Sequence, residues 1–313
     1  MVGRADEYVQ PEAADPVLSS ATVLAIAETH TGLRSRVLEV DESGGEARAY
    51  LLEGHVVVKT QRPHRLRPRT SLSKEAHLLR HLAAPLGARV PEVLGYGRHE
   101  APEGEVEYLV MTRMPGDAFI RQETPPVARG MLLREVGALL ARLHAVPTGP
   151  LLAEGDLVPV DPDGAALARR LELGFADLLD LLAAHPDSWS LEQSPKDVAA
   201  AAVAMAPSDF TPVVLHSNPG PMHVFCTGDA ALTGLIDFGD SYASHPAMDL
   251  RTWPDPADRV ALREGYLGVA TPGAGFEAAW TAAMIYTDMA VLASRPALST
   301  AAASDLVVRL GGG

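Results

Sequence analysis

The chain has 313 residues, 47% of them hydrophobic, which excludes a disordered polymer and leaves room for about two domains or lobes. Its 26 Lys plus Arg stand against 40 Asp plus Glu, a net charge of −14 that argues against a nucleic-acid backbone as partner. A lone cysteine, Cys226, rules out an intrachain disulfide and a cysteine-based zinc site.

The opening MVGRADEYVQPEAADP is polar and acidic, without the apolar stretch of a secretory signal. No uncharged apolar run approaches the ~18 residues a membrane span needs, so a cytoplasmic protein is expected. A short helix is predicted over 17–28 after Pro16, with Val17, Leu18 and Ile26 available for packing. Gly44 and Gly45 lie in a flexible turn, Asp41 to Glu46. Next, Ala49–Leu52 and Val56–Val58 form a hairpin about Glu53-Gly54-His55. From Ser71, a capping residue, Leu72, Ala76, Leu79 and Leu82 recur at helical spacing. Val90–Leu94 and Tyr108–Met111 are expected as strands on either side of a polar loop, 97–107.

Pro115-Gly116 then breaks the pattern and marks the expected boundary between lobes 1–115 and 116–313. Beyond it, Leu132–Leu143 and Leu167–Leu182 carry helical apolar stripes, and 257–269 and 276–293 are expected to finish the chain as helices. Val213–Leu215 and Leu232–Ile236 are short apolar runs. The order, strand-rich first and helix-rich second, gives an α+β bilobal plan.

Three groups of residues carry chemistry. Lys59, one of only three lysines, ends the apolar run Val56-Val57-Val58. An ammonium there can neutralise nucleotide phosphates if a carboxylate holds it, and Glu75 on the next helix is the natural partner. The plain alternative is a solvated strand-end lysine. Asp237, in Leu235-Ile236-Asp237-Phe238-Gly239-Asp240, stands at a strand end where a carboxylate can reach a phosphate-bridging metal. Between them lies His216-Ser217-Asn218-Pro219-Gly220-Pro221-Met222-His223. A phosphotransferase loop reads His-x-Asp-x4-Asn, the Asp taking the hydroxyl proton and the Asn helping to hold magnesium. Here Asn218 replaces the Asp and His223 the Asn, with the spacing of five kept. Asn cannot accept a proton at neutral pH. Neutral imidazole can ligate a metal but suits softer ions than magnesium.

These segments together resemble the aminoglycoside phosphotransferase (choline kinase-like) family, over roughly Thr31 to Leu292. The resemblance includes Leu109-Val110-Met111-Thr112-Arg113-Met114-Pro115-Gly116, Leu139–His144 and His245-Pro246-Ala247-Met248-Asp249. It implies a protein-kinase-like fold, with a small antiparallel-sheet N-lobe and a mostly helical C-lobe. It implies a Lys59–Glu75 phosphate anchor and nucleotide contacts from Gly44, Gly45 and Met111. Tyr108 to Thr112 would face the adenine through backbone groups, and Asp249 would brace the loops. Asn218 and Asp237 would be the catalytic pair, with Asp237 and His223 holding metal.

The activity so implied is ATP-dependent (or GTP-dependent) phosphoryl transfer, with Mg2+ or Mn2+, to a small hydroxylated or amino-bearing molecule. A pseudokinase scaffold with a protein partner, or a kinase-like enzyme acting on a peptide, stays open as the alternative. Two surface features bear on partners. Lys59 to Lys74 contains Arg62, Arg65, Arg67 and Arg69 and no acidic residue, so it is either a mobile loop closing on phosphates or on an anionic partner, or a solvated loop. Asp156, Asp161, Asp163, Asp255, Asp258 and Glu264 either face a cationic acceptor or form a solvated face.

Overall fold

The computed structural model describes residues 8–68, 70–153 and 155–311; residues 1–7, Arg69, Glu154, the side chain of Asp156, Gly312 and Gly313 lie outside the described residues. Helix α1 spans Ser20–Thr31, three residues later than expected. Ser19 decides this: its backbone is extended and its side chain accepts the Thr22 N–H, while Gly32 in the left-handed region stops the other end. Val17 is left exposed ahead of the cap, and Leu18 packs in the core.

Strands β1 (Val37–Asp41), β2 (Ala47–Leu52) and β3 (Val56–Gln61) are followed by helix α2 (Leu72–Leu86), then β4 (Val93–Ala101) and β5 (Gly104–Thr112). They build one antiparallel sheet in the order β1-β2-β3-β5-β4. The β2–β3 turn is the expected one, with Gly54 and His55 both at positive φ. The expected strand at 90–94 and loop at 97–107 are corrected: β4 and β5 form a long hairpin, with Ala101 opposite Gly104. Its far end carries Arg98, His99, Glu100 and Glu105, polar residues whose pairing hydrophobic patterning cannot reveal. Edge strand β1 is mostly exposed and escaped the pattern for the same reason.

Alternation along β2 and β3 sorts the sheet's two faces. Tyr50, Leu52, Val56 and Val58 pack with α1 residues Val23, Ile26 and Ala27. Val57 packs on the other side with Leu72, Ala76 and Leu79 of α2. Lys59 shares the parity of Val57, so the same alternation that buries Val58 aims the ammonium away from α1.

The rest of the chain is mostly helical. Strand β6 (Asp117–Ala118) leads to helices α3 (Pro126–His144), α4 (Thr148–Leu152), α5 (Gly164–Ala184) and α6 (Pro195–Ala204). Strands β7 (Val213–Leu215), β8 (Val224–Cys226), β9 (Leu232–Leu235) and β10 (Tyr242–Ser244) follow, with β6-β8-β9 as one small sheet and β10-β7 as another. The loop 216–223 is thus clamped between β7 and β8, a strand too short to show in the pattern. Helices α7 (Pro256–Leu267), α8 (Phe276–Ser294) and α9 (Ser299–Arg309) complete the described chain. Helix α9 corrects the expectation that the helices end at 293. It buries only Ala302 and Leu306, too few for a stripe, and is tied to α8 through Arg309, Asp305 and Asp288. No helix among the described residues is long and apolar enough to cross a membrane. The architecture is α+β, an antiparallel five-stranded sheet joined to a helical second part.

Candidate active site

A cavity of about 240 Å³ opens against the free face of β2 and β3, compared with about 70 Å³ for the next one found among the described residues. Gly44 and Gly45 line it from the β1–β2 turn, Lys59 from β3, Glu75 from α2, Met111 from β5, and His223 and Asp237 from the loops behind it. Seven of the eight site residues proposed from sequence therefore meet at one place. The eighth, Asn218, is exposed and is not among the lining residues.

Lys59 is the hub. Its Nζ donates to Glu75 Oε2 at 2.8 Å and to Asp237 Oδ1 at 2.5 Å. Glu75 is fully buried, and its Oε1 also accepts the Phe238 N–H at 3.3 Å. Burial works against the Lys59 charge, but the Asp237 and Glu75 carboxylates raise its pKa well above the usual range. Burial also opposes ionisation of Asp237, and there the Lys59 ammonium prevails, holding its carboxyl far below the usual range. Burial and the Asp237 charge together push the Glu75 carboxyl up. Asp237 has φ of 71°, a left-handed conformation uncommon for a non-glycine residue and typical of a constrained functional turn.

The loop before it is held from below. Asp249 Oδ2 accepts the His216 N–H at 2.7 Å and faces His144 Nε2 at 3.0 Å, while its Oδ1 accepts the Ser217 N–H at 2.7 Å. Ser217 sits at φ 82°, a turn these bonds stabilise. His216 Nε2 donates to the Ile236 carbonyl at 2.8 Å, linking this loop to the Asp237 loop. Burial pushes the His216 pKa down to about 4, so its ring is neutral. His223 Nδ1 donates to the Asn218 carbonyl at 2.7 Å, and its Nε2 lies 3.4 Å from Asp237 Oδ2. The Asn218 carbonyl thus holds His223, while its side chain stays exposed.

Sequence reasoning missed several lining residues. Asp240, within the same motif as Asp237, lines the cavity and accepts a hydrogen bond from Thr70. Glu46 lines it too and pairs with Arg67, whose Nη2 is also 3.7 Å from Asp240 Oδ2. Arg67 so spans from the glycine turn to the loop that carries Asp237 and Asp240. Arg62 is buried against Asp15, and Lys74 Nζ donates to the Ser241 carbonyl at 2.9 Å. Lys59, Arg62 and Arg67 of this basic segment are therefore ion-paired rather than solvated, while Arg69 lies outside the described residues. The signal was the absence of acidic residues within it: its partners come from other segments.

Residues Tyr108 to Thr112 pair with β3, and most of them also pair with β4, so the ladders occupy their backbone. The cavity edge at this point is Met111 to Met114 instead. The acidic residues of the second half are engaged as well. Asp163 and Asp255 cap α5 and α7; Asp161 pairs with Arg170, Asp258 with Arg129 and Glu264 with Arg134. They form neither a free acceptor wall nor a purely solvated face.

The lining holds six carboxylates (Asp41, Glu46, Glu75, Asp117, Asp237, Asp240) against Lys59, Arg113 and Arg121. Such a site suits a polyanion only when a cation accompanies it. No group of three or more His, Cys, Asp or Glu able to hold a metal occurs among the described residues, so a metal here would draw its other ligands from substrate and water.

Residues 37–281 match the model of the phosphotransferase enzyme family. Curated proteins include no match. Among solved structures, the chain is similar to the GDP complex of a phenylalanine-to-leucine mutant of aminoglycoside 2'-phosphotransferase-IIIa, with 17% identity and a TM-score of 0.59, covering 94% of this chain and 97% of that one. It is similar to macrolide 2'-phosphotransferase MphH from Brachybacterium faecium, with 20% identity and a TM-score of 0.57 over 94% and 98% of the two chains. A streptomycin–ATP ternary complex of APH(2")-IIa matches at 14% identity and a TM-score of 0.53, again over 94% of this chain, and 97% of that one. With a family match across most of its length and neighbours of the same architecture, the chain belongs to the phosphotransferase enzyme family and has the protein-kinase-like fold.

Proposed function

We propose that the protein transfers the terminal phosphoryl group of ATP, or of GTP, to a hydroxyl of a small amino-bearing molecule of the antibiotic or natural-product type. The observation that carries this reading is Lys59, held between Glu75 and Asp237 inside the cavity. A scaffold gains nothing from burying this ion triad, whereas a phosphate site needs an oriented ammonium. Gly44 and Gly45, lining the cavity, would let the turn approach phosphates closely, and Met111 would lie against the base. Asp237 and His223 would hold a divalent ion, which would supply charge neutralisation to the phosphates.

In the reaction the acceptor oxygen bonds to the terminal phosphorus, the bond to the bridging oxygen breaks, and the hydroxyl proton leaves with solvent. Asn218 orients that hydroxyl without taking its proton. Phosphoryl transfer is largely dissociative, so positioning and charge neutralisation carry most of the rate. The aminoglycoside and macrolide phosphotransferases of like fold guide the choice of acceptors. Lys59→Ala and Asp237→Ala should each abolish labelled-phosphate transfer across a panel of such acceptors; transfer surviving in Asp237→Ala overturns the reading. A pseudokinase is the second reading, favoured by the exposed Asn218 at the base position.

A further inference from the structure

We propose that the ion between Asp237 and His223 is a first-row transition ion of the Mn2+ or Zn2+ class rather than Mg2+, with the His223 imidazole as a direct nitrogen ligand. This rests on the nucleotide reading above. The argument begins at the far side of the ring. His223 Nδ1 lies 2.7 Å from the Asn218 carbonyl, and a carbonyl oxygen only accepts, so the ring proton sits on Nδ1. In the neutral ring Nε2 then carries a lone pair, 3.4 Å from Asp237 Oδ2. Two acceptors facing each other repel unless a cation joins them. Lys59 is engaged on the other oxygen, Oδ1, at 2.5 Å, which leaves Oδ2 for a second positive charge.

The separation suits a shared ion. Two ligand atoms each about 2.1 Å from one metal can stand up to about 4.2 Å apart, so both atoms reach it without rebuilding the loop. The ring is also prearranged. A backbone carbonyl on the distal nitrogen is the usual means of orienting a metal-bound histidine. The His223 N–H closes a turn onto the Gly220 carbonyl at 2.9 Å, Pro219 and Pro221 stiffen the loop, and Trp253 Nε1 donates to the Pro219 carbonyl at 3.0 Å.

Metal class follows from the donor set. Magnesium prefers oxygen ligands in tight octahedral geometry, whereas imidazole binds divalent first-row transition ions more strongly, Mn2+ least among them and Zn2+ more. A protonated His223 would instead leave both Asp237 oxygens paired with protein cations and no ligand for a metal. Nucleotide would then bind without metal dependence.

The test uses the full chain with ADP and Mn2+, grown with histidine carrying the heavy nitrogen isotope, and reads nitrogen coupling to manganese by pulsed EPR. Calorimetry with Mg2+, Mn2+ and Zn2+ runs beside it, on wild type and His223→Asn. The proposal expects a coupling that changes with the isotope, and a Mn2+-over-Mg2+ preference at least tenfold greater in wild type than in His223→Asn. Tight Mn2+·ADP binding without histidine coupling overturns it and leaves the nucleotide reading intact; this result needs no variant. Nucleotide binding that ignores metal also overturns it, in favour of the protonated ring. Absence of nucleotide binding under every metal overturns both.

Discussion

At the scale of single residues, the loop keeps its frame and changes its chemistry. Asp249 still supports the backbone of His216 and Ser217, so position 218 is presented as the frame requires, with an amide in place of a carboxylate. Asn218→Asp should then install a proton acceptor without moving the backbone. A positioned base contributes roughly 10²–10⁴-fold, so turnover of ATP should rise within that range in a steady-state assay. Unchanged turnover with nucleotide binding intact would assign the cleft to binding alone. Lys59, Glu75, Asp237 and His223 were legible because each is fixed by a local neighbour, a strand end, a helix first turn or a loop spacing. Asp240, Glu46 and Arg67 were not, because their roles arise from contacts between segments far apart in sequence.

At the scale of elements, the long helices were legible because each buries a continuous apolar stripe. Strands β1, β8 and the outer half of β4–β5 were not, since they are exposed, three residues long, or polar on both faces. The contact between α3 and α7 depends on two glycines that look like weak points in sequence. A Cβ on Gly137 would stand 2.0 Å from the Leu262 carbonyl oxygen, and one on Gly265 would stand 2.0 Å from that of Arg134. Backbone on the far side cannot yield, so the helices must separate. Gly137→Ala should destabilise the protein by about 1–3 kcal/mol or more through overpacking. Gly130→Ala, on the same helix, would meet only the flexible end of Arg134 at 3.3 Å and should add about 0.5–1 kcal/mol from helix propensity. Thermal denaturation of the pair should show midpoints shifted in opposite directions; shifts of the same sign would contradict the close crossing.

At the scale of the whole molecule, the same polar groups that seat the site link acid stability to the fold. His245 caps the helical turn at 246–251: its Nδ1 accepts the Ala247 N–H at 3.2 Å, and it packs against Phe210 and Phe276. Burial, then the neighbouring His144, lower its pKa from 6.5 to about 4, as burial chiefly does for His216. Both rings are neutral when folded and take a proton readily when unfolded. Between pH 6.5 and about 4 the unfolded chain therefore binds more protons, and stability falls as the pH falls. The full window is worth roughly 3 kcal/mol per histidine. Asp288 acts in the opposite sense, because burial, against the pull of Arg259, raises its carboxyl from 3.8 to about 7 and its contribution declines as the pH rises. Comparing one variant with wild type separates these effects. His245→Asn keeps an acceptor for the Ala247 N–H and removes the titrating ring. Its urea midpoint should change less than that of wild type between pH 7 and pH 4.5, and equal changes in the two proteins would show that this buried ring takes its proton in the fold as easily as in the unfolded chain.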